Sequence, residues 1–93
     1  MRIIGTIEHP SLKISVFRSD QRISVKFENA LYEQTFKLGA DERLDTLDAV
    51  RRWVDTALIE AVQAGFREMH RARMGALERA FPQAQESLFE QII

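Results

Sequence analysis

Two histidines and the absence of cysteine limit the chemistry that this sequence of 93 residues can support. His9 precedes a proline, and His70 stands in an arginine-rich stretch, so their positions do not match the ligand spacing of a zinc site. Ser11 is close to His9 in sequence, but the strand-turn-helix pattern that presents a nucleophilic serine is missing. We therefore predict no catalytic residue, no metal and no cofactor, and we expect a protein that is not an enzyme.

Three aspartates and four glycines offer further candidates for ligand chemistry. Asp41, Asp45 and Asp48 could together bind a cation, but they also suit the start of a helix, where acidic side chains cap free amides and favour the positive end of the dipole. We interpret them as caps. The glycines at positions 5, 39, 65 and 75 are too far apart to form a loop that holds phosphate groups.

A basic surface with an aromatic residue is the first functional hypothesis. The first 38 residues carry six basic and four acidic side chains, a net charge of +2 in a chain whose total is −1. A basic surface that also carries an aromatic side chain can hold single-stranded nucleic acid, because the cations neutralise phosphates and the aromatic ring stacks on bases. An ordinary solvated sheet face is the alternative. The candidate residues are Lys13, Phe17, Arg22, Lys26 and Lys37.

These candidates depend on four predicted strands in the N-terminal part of the chain. Apolar and polar residues alternate with a period of two in four stretches, and turn-forming residues separate the stretches. Connections this short join antiparallel strands, so residues 1–38 are predicted to form a four-stranded meander. In the second stretch, Ile14 and Val16 are expected to face the core. Ser15 and Phe17 then face outward, beside the basic residues.

The rest of the chain is predicted to be helical. Apolar residues recur with a period of 3.6 through residues 41–81, which predicts one long helix, interrupted at Gly75 and again at Phe81 and Pro82. A short C-terminal helix is predicted for residues 83–93. The stripe expected to pack on the sheet consists of Leu47, Val50, Val54, Leu58, Ala61, Val62, Gly65, Met69 and Ala72.

The long helix is expected to extend past the sheet, because about 40 Å of helix must pack on strands of about 20 to 25 Å. Its overhang carries a second apolar face, which either the C-terminal segment or another subunit must cover. Small residues spaced by four permit close backbone approach, either in the core or at a dimer seam. The residues assigned to this packing or to a homodimer interface are Ala57, Ala61, Gly65, Phe66, Phe81, Leu88 and Phe89.

Parts of the strand region resemble known sequences. The resemblance to a small uncharacterised bacterial family rests on the runs IGTIEHPSLKISVF, RISVKFE and LYEQTFKL. The predicted order of four strands and a helix is also similar to the PC4/Whirly class of single-strand DNA-binding domains, in topology over about residues 2–69 rather than in a diagnostic motif. That similarity implies a dimer formed through helices, with the sheets available to bind a strand of nucleic acid.

A second functional hypothesis lies in the last ten residues. Residues 85–89, of sequence QESLF, resemble the peptide that binds bacterial sliding clamps, in which a glutamine precedes a Leu-Phe pair. Such a peptide must be extended and exposed to insert its apolar pair, here Leu88 and Phe89, into a pocket. The same residues also fit the packed face of a terminal helix, and both interpretations stay open.

Together these patterns predict a single α+β domain over residues 1–93, a four-stranded antiparallel β-meander followed by a long α-helix and a short C-terminal helix. Gly5 and Thr6 break the N-terminal apolar run before a signal-peptide core could form, and no apolar stretch is long enough to span a membrane. With no cysteine, the cytoplasm is the expected compartment. We expect a homodimeric, non-catalytic binding domain with single-stranded nucleic acid as its first ligand. The alternatives are a protein-interaction adaptor and, third, a small-molecule enzyme.

Overall fold

The structure is a computed structural model and describes residues 1–82. Its strands are β1 (Arg2–Ile7), β2 (Lys13–Ser19), β3 (Arg22–Glu28) and β4 (Glu33–Gly39). They form one antiparallel sheet in the order β1-β2-β3-β4. A turn of 3-10 helix at Glu42–Leu44 follows, then α1 (Leu47–Trp53) and α2 (Thr56–Ala80). The predicted α+β class and antiparallel sheet are confirmed, whereas the helix predicted for residues 83–93 lies outside the described residues.

Local side-chain and backbone features fix the three turns of the meander. His9 Nδ1 accepts a hydrogen bond from the backbone N–H of Ser11 at 3.1 Å. In the two-residue turn between β2 and β3, Asp20 adopts a left-handed conformation at φ 57°, which aspartate tolerates better than most residues. Asn29 Oδ1 accepts the backbone N–H groups of Leu31 and Tyr32 at 2.9 and 2.8 Å. All three turns separate consecutive strands, as predicted from the turn-forming residues between the four alternating stretches.

The core lies between one face of the sheet and the two helices. Alternate residues of the central strands project from this face, as the period of two predicts, and their burial removes apolar surface from water at about 25 cal/mol per Å². The helices contribute short apolar side chains, the buried ring of Phe66 and the partly buried ring of Trp53. The fully or nearly buried core residues are Leu12, Ile14, Val16, Ile23, Val25, Phe27, Val50, Val54, Val62 and Phe66.

A register shift in β1 changes which of its residues face the core. Ile3 pairs with Phe17, but Gly5 pairs with Val16, so one extra residue is inserted between these pairs. The shift places Gly5 on the core face, directly under Leu47 of α1. A Cβ atom at position 5 would lie 2.6 Å from Leu47 Cδ2, so glycine gives α1 room to approach the sheet.

The prediction of one continuous helix from residue 41 is wrong. Asp41 caps only the turn of 3-10 helix, and Thr46 caps α1 by accepting the Ala49 amide at 3.2 Å. Asp55 then takes an extended conformation and caps α2, its Oδ1 accepting the Leu58 amide at 2.8 Å. An N-cap residue has non-helical backbone angles, so the helix cannot pass through position 55. The predicted interruption at Gly75 is also wrong, because α2 continues through it to Ala80.

The new start at Asp55 sets which face of α2 meets the sheet. Ala61 and Ala72, predicted to pack on the sheet, are exposed. Phe66, predicted to lie on a second apolar face, is only 5% exposed and belongs to the core. The predicted stripe assumed a rotation of 100° per residue counted continuously from Leu47, and the break before α2 interrupts that count.

The predicted overhang of the long helix is confirmed. The 25 residues of α2 span about 37 Å at 1.5 Å per residue, whereas a seven-residue strand spans about 23 Å. Its last buried residue is Phe66, and residues 76–82 are all exposed. Over residues 1–82, the structure contains no helix with both the length and the apolarity needed to cross a bilayer.

Candidate functional site

The predicted nucleic-acid residues do share the outer face of the sheet, opposite the helices. Phe17 of β2 pairs with Ser24 of β3, and Ser24 pairs with Lys37 of β4, so these three side chains form one row across the sheet. Lys26 stands one row further, beside Ser15. The remaining members of the predicted set, Lys13 and Arg22, lie near opposite ends of this face.

Carboxylates on the same face reduce its positive charge. Lys26 Nζ lies 3.2 Å from Glu28 Oε1 and 3.9 Å from Glu33 Oε2. The same ammonium group is 5.4 Å from the centre of the Phe17 ring, so it also makes a cation–π contact. Lys26 is therefore engaged within the chain and is not free to neutralise a phosphate without breaking these contacts. Within residues 1–82, no carboxylate lies within 4 Å of the charged groups of Lys13 or Lys37.

Ser15 is buried, although the sequence predicted that it would face outward on a solvated surface. It is only 1% exposed, although it projects from the outer side of the sheet. Ser15 sits on a central strand, between its pairing partners Thr6 on one side and Lys26 on the other. The outer face is consequently less polar at its centre than the sequence indicates.

A second surface, which the sequence did not predict as a site, lies under the overhang of α2. We call it the α2 groove: a cleft of about 1180 Å³ between the C-terminal half of α2 and the turns at Ser11 and residues 29–32. Its floor and walls are mainly apolar. They are formed by Leu12, Leu31, Tyr32, Phe66 and Met74.

The apolar face of α2 continues beyond the part of the helix that the sheet covers. Met74, Leu77 and Phe81 follow the buried Phe66 along the same side of the helix, at the spacing of three, four or eight residues that aligns side chains. Met74 is 42% exposed and Phe81 61%, and across the groove Leu31 is 59% exposed. A large apolar surface of this kind on a small protein marks an interaction site.

Tyr32 and His70 join the sheet to α2 at the start of the groove. Tyr32 Oη lies within hydrogen-bonding distance of His70 Nδ1, at 2.9 Å, and the two rings meet edge to face. Arg73 lies with its guanidinium carbon 5.9 Å from the centre of the Tyr32 ring. These contacts fix the direction in which α2 leaves the sheet, so the groove has a defined shape.

The rim of the groove is basic. Arg67, His70 and Arg71 line it, against a single lining carboxylate, that of Glu78. Arg71 is paired with Glu68 on the exposed surface of α2, whereas within residues 1–82 the Arg67 guanidinium has no carboxylate within 4 Å. An anionic side chain placed beside the apolar floor would therefore meet an available positive charge.

The residues predicted for packing or dimerisation separate into different environments. Ala57 and Ala61 are exposed, while Gly65 faces Gln34 of β4, whose Nε2 would lie 2.8 Å from a Cβ at that position. Phe66 is in the core and Phe81 is exposed at the end of α2. Leu88 and Phe89, with the whole predicted clamp-binding peptide, lie outside the described residues.

Residues 1–82 contain no group of three or more histidine, aspartate or glutamate side chains arranged to hold a metal ion. Among residues 1–82, hydrogen bonds from the Arg43 side chain and backbone lower the pKa of Asp41, which caps the turn of 3-10 helix, to about 2. Comparison of the chain with protein-family profiles, with curated proteins and with solved structures gave no match.

Proposed function

We propose that this chain is a non-catalytic, protein-binding domain whose α2 groove holds an amphipathic, acidic helical segment of a partner. The observation that supports it is the exposed apolar stripe of Met74, Leu77 and Phe81, which begins in the groove at Met74 and continues past it along α2. Helix-in-groove recognition uses apolar side chains at intervals of three and four residues against such a surface.

The dimensions and charge of the groove specify the ligand further. From Arg67 to Glu78 the helix rises about 17 Å, which is the length of a helix of about 11 residues. Leu31 on the opposite wall and Met74 on α2 provide the apolar contacts, and Arg67, which has no carboxylate partner within residues 1–82, favours a carboxylate on the rim of the ligand. The chemistry therefore selects a short segment with one apolar face and glutamate or aspartate beside it.

Binding can be tested with a labelled synthetic peptide that has leucines on one helical face and glutamates elsewhere, using fluorescence anisotropy. Leu31→Glu or Met74→Glu should each weaken binding about tenfold or more, since each loses the burial of a large apolar side chain. Ile3→Glu is the matched control, because Ile3 is an exposed apolar residue on the opposite face of the sheet. A peptide of the same composition without the helical period should not bind. Equal affinity for both peptides, or equal loss in all three variants, would exclude the groove as the site.

Single-stranded nucleic acid on the outer sheet face is the second candidate function. The observation in its favour is that Phe17 keeps part of its ring accessible beside Lys37 and Lys26. A labelled oligonucleotide should bind at low salt, and Phe17→Ala combined with Lys26→Glu should abolish binding. Replacing both Glu28 and Glu33 with glutamine should increase the affinity for the oligonucleotide, because Lys26 then loses its carboxylate partners. Absence of binding by the native chain at low salt would remove this candidate.

A homodimer remains part of the proposal. The exposed side of α2 that carries Ala57 and Ala61 could pack against a second copy, since small residues allow two helices to approach closely. Solution mass by light scattering tests it directly. Ala61→Arg should shift a dimer toward monomer, whereas Ala40→Arg, at an exposed position between the sheet and the helices, should leave the mass distribution unchanged.

A further inference from the structure

We infer that Tyr32 and His70 form a proton-dependent carboxylate site at the start of the α2 groove, which holds the acidic ligand more tightly when His70 is protonated. This inference rests on the proposed function, because it names the ligand group and the regulation of the same site. The two side chains line the groove from opposite sides, Tyr32 from the turn before β4 and His70 from α2.

One hydrogen bond joins the two side chains. Tyr32 Oη lies 2.9 Å from His70 Nδ1, and the rings meet edge to face with 5.9 Å between their centres. The unprotonated nitrogen of a neutral imidazole is a better acceptor than a phenol oxygen, so the Tyr32 hydroxyl donates to Nδ1 while His70 is neutral. In this state the hydroxyl proton is held within the protein and is not offered to a ligand.

Protonation of His70 reverses the direction of this bond. Both ring nitrogens of an imidazolium are donors, so Nδ1 then donates to Tyr32 Oη and the contact between the rings is kept. The hydroxyl proton is released from Nδ1 and can be donated to a carboxylate in the groove. One added proton therefore provides a positive charge and a free hydroxyl donor at the same point.

The charges around this pair favour an anion. Those that α2 contributes are Arg67, Arg71, Arg73 and Glu78. Tyr32 is the only titratable group that the sheet and its turns add to the described lining of the groove. Arg67 lies three positions before His70, so the two are neighbours on one helix face, and within residues 1–82 no carboxylate is within 4 Å of its guanidinium. A ligand carboxylate can therefore lie between Arg67 and His70, with the Tyr32 hydroxyl facing it.

The ligand and the site change charge in different pH ranges. Histidine is the side chain whose charge ordinarily changes between about pH 5 and pH 8, whereas glutamate and aspartate in a flexible peptide stay ionised above about pH 5. Acidification from about pH 8 to about pH 5.5 therefore adds positive charge to the groove and leaves the ligand anionic. The affinity for an acidic segment should rise over this range.

Anisotropy titrations of the full chain with the peptide of leucines and glutamates, at about pH 8 and about pH 5.5, test the site. The native chain should bind about fivefold more tightly at the lower pH, the gain expected from one exposed pair of opposite charges. His70→Gln should abolish this gain, since the amide oxygen can still accept from Tyr32 but cannot take up a proton. His9→Gln is the matched control, because His9 lies in the turn beside Ser11 and outside the groove lining, and it should retain the gain.

Tyr32→Phe separates the effect of the hydroxyl from that of the charge. Its affinity should match that of the native chain at about pH 8, where His70 holds the hydroxyl proton, and should be about threefold weaker at about pH 5.5. A peptide with glutamines in place of the glutamates should bind equally at both pH values. A gain with that peptide as large as with the acidic one would contradict a carboxylate site.

The outcomes distinguish failure of the site from failure of the groove. Measurable binding that is equal at both pH values, or the same gain in His70→Gln, would overturn the inference and keep the proposed function. No binding at either pH would overturn both. Nitrogen-15 NMR of the free chain checks the hydrogen bond itself, and a proton on His70 Nδ1 at about pH 8 would contradict the proposed reversal.

Discussion

Gln34 of β4 reaches across to α2 at the position of Gly65. Its Nε2 donates a hydrogen bond to the backbone carbonyl of Val62 at 2.7 Å, and a Cβ on residue 65 would lie 2.8 Å from the same nitrogen atom. The glycine therefore provides room for a contact within the monomer. The spacing of small residues along the helix had suggested a dimer seam or the core, and at this position the space is used by Gln34.

The first prediction concerns that contact. Gly65→Ala adds about 1 kcal/mol of helix propensity but displaces Gln34 and breaks a partly buried hydrogen bond worth about 1–3 kcal/mol, so we expect a net loss of stability of about 1 kcal/mol. In a Gln34→Ala background the same change should stabilise the protein by about 1 kcal/mol. Urea denaturation of the four proteins measures the coupling.

Gly75→Ala is the control for this cycle, because the nearest atom to its new Cβ is the flexible end of Arg79, at 3.2 Å. It should stabilise the protein by about 1 kcal/mol in both backgrounds. If Gly65→Ala behaves like Gly75→Ala with Gln34 in place, the close approach has no energetic effect.

The second prediction concerns the break between the helices. Asp55→Ala removes the acceptor for the Leu58 amide and should lower the free energy of unfolding by about 1 kcal/mol. Asp55→Asn should retain nearly all of the stability, since asparagine caps as well as aspartate. Thermal or urea unfolding compares them. An equal loss in both variants would assign the effect to charge rather than to the cap.

The third prediction tests the assignment of Phe66 to the core. Phe66→Ala should lower the free energy of unfolding by about 3–5 kcal/mol, the usual range for removing a buried aromatic ring. Phe81→Ala, at the exposed end of α2, should cost less than about 1 kcal/mol. A small effect at both positions, with a lower solution mass for Phe66→Ala, would return Phe66 to a dimer interface.

The fourth prediction concerns pH. Side-chain hydrogen bonds from Arg43, followed by its backbone N–H, lower the pKa of Asp41 from 3.8 to about 2. Because the pKa is lower in the folded protein, this contact stabilises the fold above about pH 4, and the contribution is lost as the pH falls through about 2. Carbon-13 NMR of the carboxyl group measures the pKa directly.

Arg43→Gln should raise the pKa of Asp41 toward 3.8, since the charged donors are removed. Arg51→Gln is the matched control, because Arg51 pairs with Asp48 on the surface of α1. An unchanged pKa in the Arg43 variant would show that the backbone amide alone stabilises the carboxylate.

The strand region was predictable because its evidence is local. Side chains in a strand alternate by covalent geometry, so Ile14 and Val16 could be assigned to the core from their spacing. The extra residue between Ile3 and Gly5 could not be predicted, because apolar and polar residues still alternate on either side of a bulge. The burial of Ser15 was missed for another reason: it lies between two neighbouring strands, and the period of one strand does not describe what flanks it.

The helical region was harder because apolar spacing continues across the break. Val50, Val54 and Leu58 keep a helical interval, although α1 ends at Trp53 and Asp55 caps the start of α2. Aspartate at a cap was visible in the sequence, but several aspartates competed for the role. The α2 groove needed three-dimensional information, since it depends on the turn at Leu31 lying beside Met74. Its sequence signal was present in Met74, Leu77 and Phe81, apolar residues beyond the length that the strands could cover.

The order of the strands bears on how the molecule assembles. Each strand pairs with its neighbour along the chain. The hydrogen bonds of each hairpin can therefore form in sequence from a short turn, on a timescale of about 1–10 μs per hairpin. Val62 and Phe66 come from a far greater separation along the chain and can dock only once that sheet presents a surface. Changes at the Asp20 turn should therefore alter the rate of refolding in stopped-flow experiments, whereas Phe66→Ala should chiefly accelerate unfolding.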